Sequence, residues 1–108
     1  MSFVQIATKD KIPAGTMLSA SAGGKELLIV NYEGNYYAIN LKCTHMGGDL
    51  SKGVLEGKII TCPRHGSKFD ITSGVCISGP KLGILKLKIK DEIVYAVQVE
   101  GNNILVDI

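Results

Sequence analysis

Two short segments contain the residues best suited to metal chemistry. Cys43 and His45 have a CxH spacing, Cys62 and His65 have a CxxH spacing, and sixteen residues separate the two pairs. Together the pairs use both histidines of the chain and two of its three cysteines. Thiolate sulfur and imidazole nitrogen are good ligands for zinc and iron. The concentration of these side chains in two similar segments therefore predicts a single metal centre.

The order of the ligands bears on which metal is bound. Two cysteines and two histidines could complete a tetrahedral structural zinc site. A zinc finger usually takes both cysteines from one loop and both histidines from a helix, whereas here each segment supplies one of each. Mixed pairs suit two metal ions side by side, as in a Rieske [2Fe-2S] cluster, where two thiolates hold one iron and two imidazoles hold the other. The spacing favours the cluster, and a structural zinc module is the alternative.

Three sequence segments resemble the Rieske family. CTHMGGDL and CPRHGSKFD are similar to its two cluster-binding segments, and TSGVCISGP is similar to the proline-containing loop that covers the cluster. The resemblance implies one Rieske-type [2Fe-2S] cluster, with Cys43 and Cys62 on the inner iron and His45 and His65 on the outer, solvent-facing iron.

The resemblance also assigns roles to residues beside the ligands. It implies that nearby glycines let backbone N-H groups approach the sulfurs, that a serine donates to a sulfur, and that a proline shapes the covering loop. A phenylalanine stands where high-potential members often have a tyrosine, so its ring has no hydroxyl to donate. These residues are Gly47, Gly48, Gly66, Ser67, Pro80 and Phe69.

One departure from the respiratory members concerns a disulfide. Those members have an additional cysteine in each cluster-binding segment, and the two are linked; this chain has Gly48 and Arg64 at those positions. The chain thus resembles the soluble Rieske-type ferredoxins, including the ferredoxin components of aromatic-ring oxygenase systems. This predicts a reduction potential near the bottom of the Rieske window of roughly −150 to +300 mV.

Alternating apolar patterns and turn residues predict an all-β fold for the single domain 1–108. We expect a Rieske-like antiparallel β sandwich or open barrel with a cluster-binding subdomain inserted at about residues 42–81. Hairpin turns are expected at Glu33-Gly34-Asn35, Glu56-Gly57, Asp91-Glu92 and Gly101-Asn102-Asn103. The predicted strands are Phe3 to Ala7, Thr16 to Ala20, Leu27 to Tyr32, Tyr36 to Asn40, Lys58 to Thr61, Lys68 to Ile71, Leu85 to Ile89, Ile93 to Val99 and Ile104 to Ile108.

The sequence favours an electron carrier over an enzyme. No histidine is left for the mononuclear iron of an oxygenase, and no Gly-rich dinucleotide-binding motif follows a strand. We expect a one-electron carrier that accepts from a reductase and delivers to an oxygenase or another terminal acceptor. The alternative is a redox-sensing or structural small subunit of a larger oxidoreductase complex.

Charge and composition limit the classes of partner that this chain is expected to bind. The net charge of +2 is too small to indicate nucleic-acid binding, and the longest aliphatic run, Leu27 to Val30, is too short for a membrane anchor. The odd number of cysteines and the lack of a signal-peptide pattern at the start of the sequence predict a cytoplasmic location, and we expect a monomer. Residues 42–81 contain six basic and three acidic side chains. This excess of positive charge favours an acidic docking partner, with Arg64 as the best single contact.

Overall fold

The fold is built almost entirely from antiparallel strands. The computed structural model describes residues 3–44, 48–64, 66–78, 81–82, 85–86 and 91–108, with the backbone alone at 81–82 and 85–86. Within these ranges there are two short 3-10 turns and no α-helix, which confirms the all-β prediction. None of the described segments is a helix with the length and hydropathy needed to cross a bilayer. The strands are β1 Phe3–Thr8, β2 Met17–Ala22, β3 Lys25–Tyr32, β4 Asn35–Asn40, β5 Val54–Glu56, β6 Ile59–Thr61, β7 Lys68–Asp70, β8 Cys76–Ser78, β9 Lys81–Leu82, β10 Leu85–Lys86, β11 Val94–Tyr95, β12 Val97–Glu100 and β13 Asn103–Asp107.

The central sheet has the strand order β11-β4-β3-β2. Two-residue turns connect β2 to β3 at Gly23-Gly24 and β3 to β4 at Glu33-Gly34. All four turn residues have positive φ, between 53° and 86°. Such turns match the right-handed twist of the strands that they join. The turn predicted at Glu33-Gly34 is confirmed.

Strand β3 is buried on both faces, because the central sheet lies between two hydrophobic cores. Leu28 and Val30 belong to one core, whereas Leu27 and Ile29 belong to the other. This division follows from the period of two residues along a strand. The cysteine-side core consists of Leu28, Val30, Ile39, Leu41, Cys43, Leu50, Ile60, Cys62, Phe69 and Ile71. The terminal-strand core consists of Ala7, Ile12, Leu27, Ile29, Ala38, Ile104 and Val106.

A three-stranded sheet from the two ends of the chain covers the terminal-strand core. Its order is β1-β13-β12, and β12 returns to β13 through the predicted turn at Gly101-Asn102. The central and terminal sheets thus form the expected β sandwich, in which side chains from two facing sheets fill the space between them.

A four-stranded sheet of order β5-β6-β7-β8 covers the cysteine-side core and positions one cysteine segment. Its strands have only three residues each. Strands β6 and β7 were predicted from the sequence, whereas β5 and β8 were missed.

The structure has no turn at Asp91-Glu92, where a hairpin turn was expected. Among the described residues, β10 pairs with β9 and β11 pairs with β4, and residues 87–90 lie outside them. Glu92 is buried rather than exposed at a turn. Carboxylates favour turns because they accept nearby backbone N-H groups, but here they accept N-H groups from distant segments. Beyond Lys86, the remainder of the predicted strand Leu85 to Ile89 lies outside the described residues.

Candidate metal centre

The first cysteine segment is a closed loop, residues 43–48, here called ligand loop 1. The Cys43 N-H donates to the Gly48 carbonyl at 2.7 Å, and the Leu50 N-H donates to the Leu41 carbonyl at 3.0 Å. A β-bridge pairs Lys42 with Asp49 between these two bonds. The loop is therefore held at its base like the tip of a hairpin, with Cys43 directly beside the base.

The second cysteine segment, residues 62–67, is ligand loop 2 and connects β6 to β7. The Cys62 N-H donates to the Ser67 carbonyl at 2.8 Å, and the Gly66 N-H donates to the Cys62 carbonyl at 3.2 Å. Gly66 has φ of +78°, a conformation that costs residues with a Cβ about 1 kcal/mol or more. The tight turn therefore favours glycine at position 66. The Gly66 N-H donates to the Cys62 carbonyl oxygen.

Both cysteines lie in the interior beside the same apolar side chains. Cys43 and Cys62 are each 3% exposed and belong to the cysteine-side core. Together with Cys76 they are thiols and form no disulfide. His45, His65, Gly47 and Pro80 lie outside the described residues, so their proposed roles remain predictions.

The two ligand loops meet at Gly48. A Cβ on this residue would lie 2.7 Å from Cys62 Sγ and 3.2 Å from Arg64 Cγ. A distance under 3 Å is a steric collision, so the backbone of loop 1 approaches the Cys62 sulfur more closely than any residue with a side chain would allow. The Gly48 backbone therefore lies close to the Cys62 sulfur, whereas the approach of its N-H to a cluster sulfur stays a prediction.

Ser67 has the environment expected of a donor to a cluster sulfur. Its side chain is 0% exposed, and its Oγ has no hydrogen-bond partner among the described residues. A buried hydroxyl without a partner is costly, by about 1–3 kcal/mol. Two interior thiols, a glycine that clears space beside one of them and a hydroxyl that needs an acceptor all fit a [2Fe-2S] cluster.

Phe69 lies on β7, just after ligand loop 2, and packs into the cysteine-side core. Its ring is fully buried in the cysteine-side core, and the residue pairs with Ile60 on β6 and Cys76 on β8. Half-buried Cys76 packs against the same core.

The importance of Glu92 was not predicted from the sequence. This residue is 4% exposed, and its Oε1 accepts the Thr44 N-H of ligand loop 1 at 2.9 Å. Burial raises the pKa of the Glu92 carboxyl to about 7, although the Thr44 and Ile93 N-H groups act in the opposite direction. The only sequence signal was an acidic residue directly before the apolar run Ile93-Val94, which was attributed to a turn.

Comparisons with known proteins agree with this centre. The family model for the Rieske [2Fe-2S] domain matches residues 2–104. The ferredoxin component of a naphthalene 1,2-dioxygenase system from Pseudomonas aeruginosa is 35% identical over 98 residues, which covers 91% of this chain and 88% of the relative. The biphenyl dioxygenase ferredoxin subunit of Pseudomonas sp. (strain KKS102) is 32% identical over 108 residues, which covers 99% of this chain and 93% of the relative.

Solved structures give the same result. The ferredoxin of carbazole 1,9a-dioxygenase from Nocardioides aromaticivorans IC177 superposes with a TM-score of 0.83 at 28% identity, covering 98% of this chain and 97% of that one. A ferredoxin–oxygenase complex of carbazole 1,9a-dioxygenase gives a TM-score of 0.84 at 26% identity, covering 96% and 91%. The matches decide between the cluster and zinc: the chain belongs to the Rieske [2Fe-2S] domain family, as an electron-carrying ferredoxin with one [2Fe-2S] cluster rather than an enzyme.

Proposed function

We propose that this ferredoxin accepts one electron from a reductase and delivers it to an oxygenase, using Cys43, Cys62, His45 and His65 as cluster ligands. The single observation that carries this proposal is the burial of Cys43 and Cys62 in one core at the bases of two hydrogen-bonded loops. A Rieske cluster supplies reversible one-electron chemistry. The protein supplies the two thiols, the Ser67 hydroxyl and a shielded apolar surrounding, each of which affects the potential.

The proposed partners are those of the relatives. Several are ferredoxin components of naphthalene or biphenyl dioxygenase systems, and one solved neighbour is a ferredoxin in complex with its oxygenase. A carrier that must dock on two proteins in turn needs an exposed surface beside its cluster. Lys42 directly precedes ligand loop 1, Arg64 lies within ligand loop 2, and both side chains are exposed. Their positive charge supports docking on an acidic patch.

We also propose that residues 1–108 form one domain in which residues 42–81 are the cluster-binding part. Leu28 and Ile39 from the central sheet share a core with Ile60 and Phe69 from that part, which supports a single cooperative unit. A cytoplasmic location is proposed because the chain has an odd number of cysteines, two of which are proposed cluster ligands.

Metal analysis and spectroscopy test the cluster assignment. The purified protein should contain iron and acid-labile sulfide in equal amounts, and dithionite should produce the electron paramagnetic resonance signal of a reduced Rieske cluster. Replacing His45 or His65 by Cys should retain a cluster but shift its potential downward, since a thiolate adds negative charge. Zinc without labile sulfide would contradict the assignment.

Stopped-flow electron transfer tests the partner assignment. The reduced protein should reoxidise rapidly when mixed with the oxygenase component of a naphthalene dioxygenase system, and its rate should fall as salt is added. Arg64→Gln should slow this step, whereas Lys11→Gln, an exposed cation on a 3-10 turn outside residues 42–81, should leave it unchanged. Equal rates for the two variants at low salt would remove Arg64 from the docking surface.

A further inference from the structure

Glu92 has a buried carboxyl, and the proposed carrier function assigns no role to it. It lies in the connection before β11, with its side chain directed at ligand loop 1. Oε1 accepts the Thr44 N-H at 2.9 Å, while the buried Oε2 has no hydrogen-bond partner in the part of the chain that the structure describes. Burial of a carboxyl is unfavourable unless it gains interactions elsewhere. A buried glutamate beside a cofactor loop therefore calls for an explanation.

The backbone around Glu92 is fixed by three other segments. Its N-H donates to the Gly74 carbonyl at 2.7 Å, and the carbonyl of Ile93 accepts the Asn40 N-H at 2.9 Å. Asp91 Oδ1 accepts the Cys76 N-H at 2.8 Å. Gly74 approaches so closely that a Cβ there would collide with the Glu92 carbonyl oxygen. The carboxyl thus projects toward loop 1 from a rigid support.

The hydrogen bond between Glu92 and the Thr44 N-H lies between two proposed cluster ligands of loop 1. Thr44 lies between Cys43 and His45, and its amide includes the carbonyl carbon of Cys43. Thr44 itself is exposed, so the described core does not enclose its side chain. Fixing this amide restricts the orientation of the peptide that joins the two proposed ligands. It also commits one loop N-H to a carboxyl oxygen.

We propose that Glu92 is a positioning residue for ligand loop 1, which holds the Thr44 amide and keeps the reduction potential low. This inference rests on the proposed ligand assignment. A negative carboxylate near the cluster opposes the arrival of an electron, and an N-H directed at the carboxylate no longer stabilises a reduced sulfur. Both effects favour the oxidised state. The raised pKa of Glu92 is consistent with a carboxyl that has left water for this position.

Two substitutions separate the charge from the hydrogen bond. Glu92→Gln retains an oxygen acceptor of the same length but removes the charge. Glu92→Leu has a similar volume and removes both. We expect E92Q to keep the wild-type paramagnetic g-values and to have a more positive midpoint potential, measured by voltammetry at about pH 8, where the wild-type carboxyl is ionised. We expect E92L to change the g-values and to lose iron faster at a given temperature. Glu100→Gln, which removes an exposed charge on β12, is the control and should match the wild type.

The outcomes distinguish this inference from the proposed function. If the wild-type protein lacks iron and labile sulfide, the proposed function fails first. If the wild type has a normal cluster and E92Q has an unchanged potential, Glu92 does not lower the potential. Wild-type g-values in E92L would show that the Thr44 bond does not position the loop. E92Q is isosteric and removes a buried charge, so it should fold even under conditions that unfold E92L, and its potential alone decides the electrostatic part.

Discussion

Gly48 packs directly against Cys62, so that a Cβ at position 48 would lie 2.7 Å from the Cys62 sulfur. The same Cβ would be 3.2 Å from Arg64 Cγ. Positions 48 and 64 are therefore neighbours, as the resemblance to respiratory members with a disulfide at these positions implies. In this chain the aliphatic part of an arginine lies over a glycine at the junction of the two ligand loops.

The first prediction concerns this contact. Gly48→Ala should reduce the iron content per chain, because the added methyl group must displace the Cys62 sulfur or move loop 1. Gly15→Ala is the control: Gly15 has φ of +80°, and apart from its chain neighbours no atom of the described residues lies within 4 Å of the place its Cβ would take. This variant should lose about 1–2 kcal/mol of stability and keep its cluster. Iron and sulfide analysis with thermal unfolding measures both effects. Full cluster content in G48A would show that the two ligand loops can shift to accommodate the added methyl group.

The second prediction concerns the hydroxyl of Ser67. Ser67→Ala should lower the midpoint potential by roughly 65 mV, since a hydrogen bond to a charged acceptor is worth about 1.5 kcal/mol and about 59 mV corresponds to a tenfold change, or about 1.4 kcal/mol, for one electron. Ser51→Ala removes a hydroxyl that donates instead to Asp49 Oδ1 at 2.6 Å, and its potential should stay at the wild-type value. Voltammetry of the two variants compares them. An unchanged potential in S67A would mean that its Oγ does not face a sulfur.

The third prediction compares the two cores. Leu50→Ala and Leu27→Ala remove fully buried side chains from the cysteine-side core and the terminal-strand core, respectively. Each should cost about 2–5 kcal/mol of unfolding free energy. Only L50A should also accelerate cluster loss, because Leu50 shares its core with both cysteines. Denaturant unfolding and the decay of visible absorbance measure the two quantities. Equal cluster loss in both variants would indicate a purely global effect.

The fourth prediction concerns pH. The pKa of Glu92 is raised from 4.5 to about 7 in the folded protein, so the native state binds a proton more tightly than the unfolded chain. This contribution to stability is complete below about pH 4.5 and is lost as the pH rises through 7, by up to about 3 kcal/mol. Glu92→Gln has no such loss of stability, because a glutamine amide does not ionise. The stability of E92Q relative to the wild type should therefore increase between about pH 5 and 8. Urea unfolding of the oxidised proteins measures this difference, and a constant difference across the range would exclude the shift.

The fifth prediction concerns the wild-type potential. Fully buried Phe69 has no hydroxyl, and Gly48 and Arg64 replace the disulfide of the respiratory members. We therefore expect a midpoint near the bottom of the window of roughly −150 to +300 mV, measured by voltammetry of the purified protein. A value well above zero would contradict this expectation.

The sequence was sufficient for local features and insufficient for distant ones. Alternation identified β3 and β4, and glycine identified the turn at Gly34, because both signals involve adjacent residues. The contact of Gly48 with Cys62 was foreseen only in general terms from the resemblance. The bond from Glu92 to Thr44 joins residues 48 positions apart, and no local pattern marks such a pair. In the sequence, Glu92 beside Asp91 indicates an exposed turn. Only tertiary contacts, which the sequence does not display, bury its side chain.

The position of both cysteines within the cysteine-side core has a consequence for biogenesis. In the finished fold the sulfurs are almost entirely covered, and the apolar side chains around them are the same ones that close the domain. An assembly protein that transfers iron and sulfide must therefore reach Cys43 and Cys62 before these loops settle. We therefore expect cluster insertion to be coupled to the final packing of this core.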